Sequence, residues 1–290
     1  PVAENGSVNA GTGGVAIANV AANDTVNGAP ATLGTNGNAT VAQSGSWPAG
    51  ISLNTSTGAI SVSNTVAPGV YSVPYQLCDR NTPANCATTT NTITVNASID
   101  AVNDSLATPA TGGTTASVVA NDTTNGGAVT LGTNATLTPG TAPTPPAGGI
   151  TMNANGTITV AAGTTPGTYS YPYTICTLPA TIPATCDTAT ATVTVASIHA
   201  QNDTFAVSPD VITGATTASV VANDTVNGAP VTLGANATLT PGTAPTPTAG
   251  SITMNADGTI HVAPNTTQGT YNYVYEICVF PATTPAICAT

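Results

Sequence analysis

The chain has 290 residues, and its charged side chains are one basic residue, Arg80, and twelve acidic ones, which give a formal net charge of −11. This balance excludes the basic surface that binding to nucleic acid or to an anionic membrane requires, and no apolar run of 18 residues is present to predict membrane insertion. Gly and Pro are frequent, with 29 and 23 residues, which is typical of short strands joined by turns.

Two phrases repeat along the chain in one register. The phrase Ala-Asn-Asp-Thr-x-Asn-Gly begins at Ala22 and recurs after 98 and then 102 residues. A Tyr-rich phrase that ends in Cys recurs with the same two spacings and ends at Cys78, Cys176 and Cys278. The spacing predicts three domains, at residues 1–98, 99–197 and 198–290, joined by very short linkers.

Within a repeat, the side chains alternate as they do in strands. Tyr169, Tyr171, Tyr173 and Ile175 are separated by residues that we expect to face outward. The following stretch alternates Thr with small apolar residues, and Asn-Gly pairs mark tight turns. No stretch shows helical periodicity. We therefore predict an all-β fold: three tandem immunoglobulin-like Greek-key β-sandwich domains, end to end.

The six cysteines occur as two per repeat. Six cysteines allow 15 pairings, and the repeat favours the local ones, each closing a hairpin within its own repeat. A metal site is the competing interpretation, but two cysteines without nearby histidines make a poor zinc site. Disulfides indicate an oxidising, extracellular compartment. The predicted pairs are Cys78–Cys86, Cys176–Cys186 and Cys278–Cys288.

The third repeat stops at Thr290, about ten residues earlier in the pattern than its neighbours, so we expect it to lack its last strand. Two explanations stay open. The chain is a portion of a longer repeat array, or a strand from a neighbouring subunit completes the domain. Two Pro-containing loops, Leu178–Thr185 and Val279–Ile287, carry apolar side chains, and we expect them either to pack on the neighbouring domain or to form a subunit contact.

The Asn-Asp-Thr phrase and the segment from Trp47 to Val62 resemble the Ig-like, cadherin-like repeats of large bacterial surface adhesins and of extracellular filament proteins. The resemblance implies a Greek-key sandwich, repetition into a stalk and export to the cell surface. The expected function is a structural repeat region of a bacterial surface adhesin, stalk or filament, which provides mechanical spacing and cell attachment. Self-association into a fibre, or continuation of a longer array, is the expected partnership.

The alternative function is a ligand-binding adhesin module that recognises a carbohydrate or a protein receptor. Trp47 is the one feature that favours it, although its position before a Pro-Ala-Gly turn suits core packing better. We predict no enzyme activity, because His199 and His261 lack the acid and nucleophile partners that catalysis needs.

Acidic and amide side chains cluster in sequence near the domain junctions. Calcium (Ca2+), the one candidate cofactor, needs six to eight such oxygens, and in cadherin-type arrays it stiffens the junction. The alternative is that these residues form turns. The candidate calcium ligands are Asp100, Asn103, Asp104, Asp122, Asn202, Asp203 and Asp224. Asn-x-Thr sequons at matching repeat positions are candidate glycosylation sites: Asn38, Asn134 and Asn236.

Overall fold

A computed structural model describes residues 1–81, 85–180, 184–208 and 212–290, and every regular element in these ranges is a β-strand. Repeat one contains β1 (Asn5–Asn9), β2 (Gly14–Ile17), β3 (Thr25–Val26), β4 (Ala29–Pro30), β5 (Ala39–Gln43), β6 (Ile51–Leu53), β7 (Ile60–Val62), β8 (Gly69–Asp79) and β9 (Cys86–Asn96). Within these ranges, no helical segment has the length and hydropathy of a membrane span.

Most of these strands have counterparts in the next two repeats, but the described part of repeat three has none for β1. Repeat two contains β10 (Ile99–Asp100), β11 (Asp104–Pro109), β12 (Gly113–Ser117), β13 (Thr123–Thr124), β14 (Gly127–Ala128), β15 (Ala135–Pro139), β16 (Ile150–Met152), β17 (Thr157–Val160), β18 (Gly167–Thr177) and β19 (Cys186–Ala196). Repeat three contains β20 (Ile198–His199), β21 (Ala215–Ser219), β22 (Thr225–Val226), β23 (Ala229–Pro230), β24 (Ala237–Pro241), β25 (Ile252–Met254), β26 (Thr259–Val262), β27 (Tyr275–Val279) and β28 (Cys288–Ala289).

In repeat one, the strands form a sheet in the order β1-β9-β8-β5 and a second sheet in the order β2-β7-β6. The chain leaves the first sheet after β5, forms β6 and β7 in the second sheet, and returns in β8, which is a Greek-key path. Among the described strands of repeat one, β1 alone runs parallel to its neighbour, β9, and β11 runs parallel to β19 in the same way in repeat two. Repeat two has the orders β11-β19-β18-β15 and β12-β17-β16, and repeat three has β24-β27-β28 and β21-β26-β25. The prediction of tandem all-β immunoglobulin-like sandwiches is confirmed.

The core of repeat one draws on both of its sheets. Tyr75 and Ile93 from the four-stranded sheet and Ile60 from the three-stranded sheet are fully buried in one apolar cluster. The predicted inward face of β18 is also correct, because Tyr173 and Ile175 are buried while Cys176 is only half-buried on the opposite face. Period-two alternation therefore places the large apolar side chains between two sheets.

The chain divides into two compact units, and the division cuts repeat two. The first unit comprises Pro1–Val102, Val119–Thr138 and Thr174–Thr188, and the second comprises Asn103–Val118, Pro139–Tyr173 and Ala189–Thr290. Each unit contains one junction between consecutive repeats, which we call a seam. The first seam joins repeats one and two, and the second seam joins repeats two and three. The domain boundaries at residues 98/99 and 197/198 stay a prediction.

Candidate functional site: the seams between repeats

At the first seam, the linker residue Ser98 is hydrogen-bonded to the repeat that follows it. The Ser98 amide donates to Asn125 Oδ1 at 2.9 Å, and the Asn125 amide donates to the Ser98 carbonyl at 2.8 Å. The Ser98 hydroxyl donates in the other direction, to the Ala10 carbonyl of repeat one, at 2.8 Å. One linker residue is therefore bonded to both repeats, which removes the freedom that a flexible linker would have.

The linker continues as a strand of the following repeat. At the first seam, β10 pairs with β13 in antiparallel register, so that Ile99 lies opposite Thr124. The second seam repeats the arrangement with β20 and β22. There, the Ser197 amide donates to Asn227 Oδ1 at 2.8 Å, and the Asn227 amide donates to the Ser197 carbonyl at 2.8 Å. The same joint is thus built twice from equivalent residues.

The Asn of this joint is placed by a tight turn. Asn125 and Asn227 have φ of 51°, and each is followed by a Gly with positive φ, as a two-residue hairpin loop requires. Asn tolerates this left-handed conformation better than most other residues do. Its side-chain oxygen and its backbone N–H can both reach the linker. Asn27 has the same φ in repeat one, but its Nδ2 donates to Asp79 Oδ2 at 2.8 Å instead.

Two glycines bring the backbones into contact at the first seam. A Cβ atom on Gly11 would lie 2.4 Å from the Gly126 nitrogen, and a Cβ atom on Gly126 would lie 2.5 Å from the Gly11 Cα. Real side chains do not tolerate such distances, and both residues also have φ of +78°. The close packing of these two turns therefore depends on glycine at both positions.

The second seam also has an apolar part. Ala107 and Ala196 of repeat two belong to the same buried cluster as Val279 and Ile287 of repeat three. The ends of the Val279–Ile287 loop therefore pack on the neighbouring repeat, whereas Phe280 within it is 42% exposed. The corresponding loop Leu178–Thr185 includes residues 181–183, which lie outside the described residues.

Beneath the turns, a buried tyrosine meets a buried aspartate. In repeat one, the Tyr75 hydroxyl lies 2.6 Å from Asp24 Oδ2 and 2.8 Å from the Val20 carbonyl, to either of which it can donate. In repeat three, the Tyr275 hydroxyl lies 3.1 Å from Asp224 Oδ2. Burial, together with the neighbouring carboxylates, raises the pKa of both tyrosines well above the ordinary value.

The same aspartates hold the chain segment that enters each repeat. In each repeat, Oδ1 of one aspartate accepts a backbone N–H of the entering segment. The pairs are Val2 N–H to Asp24 (2.6 Å), Val102 N–H to Asp122 (2.7 Å) and Gln201 N–H to Asp224 (2.7 Å). All three aspartates are at most 2% exposed. Each one therefore anchors the entering segment at the same place in its repeat.

A second carboxylate lies close to this pair in repeats one and three. Burial raises the pKa of Glu4, and the charge on Asp24 adds to the effect. Burial also raises the pKa of Asp203. The buried Glu4 Oε2 has no hydrogen-bond partner among the described residues. Burial is the main cause of both shifts and the charge of the neighbouring aspartate adds to it, so Glu4 and Asp203 hold their protons to higher pH than exposed carboxyl groups do.

The structure separates the predicted calcium ligands into two groups. Asp100, Asn103 and Asn202 are exposed. The others are half-buried or buried and accept hydrogen bonds from protein groups; they are Asp104, Asp122, Asp203 and Asp224.

Calcium binding by these residues stays a prediction, because a calcium ion needs six to eight oxygens and can also take them from Asn side chains and backbone carbonyls. Among the described His, Cys, Asp and Glu residues, one group of three has its potential metal-ligating atoms within 4.8 Å of one another, namely Glu276, Cys278 and Cys288. Both sulfurs of that group belong to a disulfide.

The predicted glycosylation sites are engaged in loop structure. The side-chain nitrogens of Asn38, Asn134 and Asn236 donate to backbone carbonyls at 3.0–3.1 Å, and their Oδ1 atoms accept backbone amides at 2.7–2.8 Å. These asparagines therefore brace one loop in all three repeats. Glycosylation stays an untested prediction.

Trp47 is partly buried against the core of repeat one, and its indole N–H donates to the Pro74 carbonyl at 2.7 Å. This position matches core packing, which the Pro-Ala-Gly turn that follows Trp47 favoured. Trp47, which suggested a ligand-binding loop, therefore makes its contacts within repeat one.

The six cysteines form three local disulfides: Cys78–Cys86, Cys176–Cys186 and Cys278–Cys288. The paired Cα atoms lie 4.0–4.1 Å apart, and in repeats one and three the two cysteines are direct cross-strand partners. Each bond therefore closes the end of one hairpin and leaves the seams to noncovalent contacts.

Comparison with known proteins found no matching family model and no matching curated protein. Among solved structures, the chain is similar to mouse cadherin-23 EC22-24 (TM-score 0.30, 14% identity, 99% of this chain and 93% of that chain) and to Drosophila N-cadherin EC1-4 (TM-score 0.29, 12% identity, 100% and 71%). It is also similar to the protocadherin gammaB4 extracellular domain (TM-score 0.29, 11% identity, 88% of this chain), of which it spans 44%. At TM-scores this low, the likeness carries no argument about function or calcium.

Proposed function

We propose that this chain is a structural repeat region of an extracellular bacterial surface adhesin, stalk or filament, and that its work is mechanical spacing and cell attachment. The observation that supports the proposal best is the repeated seam. Ser98 with Asn125 and Ser197 with Asn227 form the same reciprocal pair of hydrogen bonds. A protein whose repeats serve as a stiff spacer needs this kind of joint at each junction.

Three further features favour a structural role outside the cell. Each repeat carries a local disulfide, which persists in an oxidising compartment. The chain offers a single basic residue, Arg80, and its side chain donates to the Thr35 carbonyl. The polar side chains that recur at the turns, Asn125 and Asn227, bind the protein's own backbone.

The proposal includes the absence of enzyme activity. His199 is exposed on β20, and His261 lies on β26 with its Nδ1 at 3.4 Å from the Thr216 hydroxyl. The buried carboxylates lie beside tyrosines and backbone amides that they hold in place. The raised pKa values of Glu4 and Asp203 have a structural cause, which is their burial.

Immunogold electron microscopy with antibodies against this chain tests the proposed function. We expect label along thin projections from the surface of the source cells, and deletion of one internal repeat should shorten them. Label confined to the cytoplasm would contradict the extracellular role.

Ligand recognition is the second candidate function, and Trp47 is the residue whose substitution tests it. A carbohydrate or protein receptor whose binding is lost in Trp47→Phe, with the fold retained, would favour an adhesin module. We expect no such loss, because the indole contacts the core and the Pro74 carbonyl.

A further inference from the structure

Repeats two and three share a surface segment that is rich in Thr and Pro. In repeat two it comprises residues 141–146, with the sequence Thr-Ala-Pro-Thr-Pro-Pro. In repeat three it comprises residues 243–248, with the sequence Thr-Ala-Pro-Thr-Pro-Thr. We call these two stretches the Pro-Thr segments. Repeat one has Ser-Gly-Ser-Trp-Pro at residues 44–48 in the corresponding place, so it lacks the motif.

Each Pro-Thr segment is fixed at both of its ends. In repeat two, the Gly140 amide donates to the Pro172 carbonyl at 2.8 Å, and the Thr165 amide donates to the Ala147 carbonyl at 3.1 Å. The two equivalent bonds of repeat three have lengths of 2.8 and 3.0 Å. The segment between these bonds is therefore held at the same place in both repeats.

Between its ends, the backbone of each Pro-Thr segment is unpaired. Residues 141–146 and 243–248 belong to no described strand, and their amides donate no hydrogen bond to the described residues. Proline fixes φ and has no amide hydrogen, which favours an extended, solvated backbone over a helix or a sheet. A modifying enzyme can therefore bind this backbone without first breaking a sheet.

The prolines of the segment face inward and the threonines face outward. Pro143 and Pro145 are half-buried, whereas Thr141 and Thr144 are exposed, and repeat three has the same order of half-buried prolines and exposed threonines. The hydroxyls of these threonines make no hydrogen bond to a described residue. The side chain of the nearby Asn134, by contrast, uses its oxygen and its nitrogen within its own loop. The threonine hydroxyls are therefore the accessible acceptor groups of this region.

We propose that the Pro-Thr segments are sites of O-linked glycosylation on their exposed threonines. Stretches that combine Ser or Thr with Pro are typical of O-glycosylated extracellular stalks. The proposed acceptors are Thr141, Thr144, Thr243, Thr246 and Thr248.

The modification needs a sugar activated by a phosphate-containing leaving group and a glycosyltransferase of the source cell. The threonine oxygen forms a bond to the anomeric carbon of the sugar, and the bond from that carbon to the leaving-group oxygen breaks. The hydroxyl proton passes to a base of the transferase, and the leaving group departs with the bonding electron pair. No oxidant or reductant takes part.

Sugars at these positions would hydrate a surface that has few charges. The chain has one basic and twelve acidic residues, so its surface depends on neutral polar groups for much of its hydration. This inference rests on the proposed extracellular role, but the two can fail separately. Unmodified protein found on the cell surface would refute the glycosylation and leave the stalk role intact.

Mass spectrometry of the protein purified from the source cells tests the inference without any variant. After reduction, trypsin can cut the chain only behind Arg80, which separates residues 1–80, without a Pro-Thr segment, from residues 81–290, which contain both. We expect the larger fragment to carry the mass of one or more sugars, and fragmentation that keeps sugars attached to place them within 141–146 and 243–248. A larger fragment of unmodified mass, or sugars placed only outside the two segments, would overturn the inference.

Two variants produced in the source cells separate O-linked from N-linked sugar. The first carries Val at the five proposed acceptors, and we expect it to lose the sugar mass assigned to the Pro-Thr segments. The matched control carries Thr136→Val and Thr238→Val. These threonines are also exposed, but they lie on β15 and β24 and complete the sequons of Asn134 and Asn236. We expect the control to keep the sugar mass. Full retention of that mass in the first variant, or its loss in the control, would contradict O-linked glycosylation of the segments.

Discussion

Replacing Asn125 by Gly isolates the seam hydrogen bond. Gly keeps the left-handed turn, so the change removes the side-chain acceptor of the Ser98 amide without adding backbone strain. A partly buried hydrogen bond of this kind contributes about 1 kcal/mol. We therefore expect the amides of β10 and the amide of residue 125 to exchange about fivefold faster, since 1.4 kcal/mol corresponds to tenfold.

Asn27→Gly is the matched control. It changes the same turn position, with the same φ, and it also removes a side-chain hydrogen bond, but that bond is made to Asp79 within repeat one. Hydrogen exchange followed by NMR should show faster exchange at β10 in Asn125→Gly only. Equal exchange at β10 in both variants and in the unchanged chain would refute the role of Asn125 at the seam.

Three further predictions concern the acid cluster, the disulfides and calcium. The raised pKa of Glu4 gives a contribution to stability that is fully present below its unfolded value near 4.5 and is lost as the pH rises through the folded value. Thermal unfolding followed by Trp47 fluorescence should therefore show repeat one more stable at pH 5 than at pH 7, with a smaller difference in Glu4→Gln; equal pH dependence in the two proteins would contradict this. Replacing both Cys176 and Cys186 by Ser removes one disulfide and should lower the free energy of unfolding by about 2–3 kcal/mol in urea titrations. An unchanged free energy of unfolding would show that the hairpin needs no crosslink. A calcium site occupied at 100 times its Kd would add about 2.7 kcal/mol; because Asp122 and Asp224 already accept backbone amides, we expect the same melting temperature in EDTA and in 1 mM calcium, and a calcium-dependent increase would show that calcium binds.

The sequence was sufficient to predict the fold, the repeat and the disulfide pairs, because these depend on local alternation and on short spacings. The pairing of Tyr75 with Asp24 was missed, since it joins residues that are distant along the chain. A signal was present: the corresponding Asp and Tyr are separated by 51 residues in every repeat. Repeat one diverges in sequence from the other two, so a separation that it shares with them indicates a contact.

Other features depend on contacts with residues that are distant along the chain, which the local sequence pattern cannot predict. The phrase that ends at Cys278 predicts a long strand, but residues 269–274 form none, because a strand needs a hydrogen-bonded neighbour. Asn125 was identified only as a turn residue, since nothing in its local sequence shows that its amide faces Ser98 of the preceding repeat. The calcium prediction stays untested, but the sequence did not show that two of its candidate ligands, Asp122 and Asp224, accept backbone amides of the entering segment.

Residual dipolar couplings measured on the 290-residue chain test the central claim, that hydrogen-bonded seams make this chain a stiff spacer. Couplings from repeat one and from the following residues through β14 should fit one alignment tensor, because Ser98 and Asn125 hold the first seam in a single geometry. A tensor of different magnitude for the two sides of the seam would show that the repeats reorient independently, and would contradict the account.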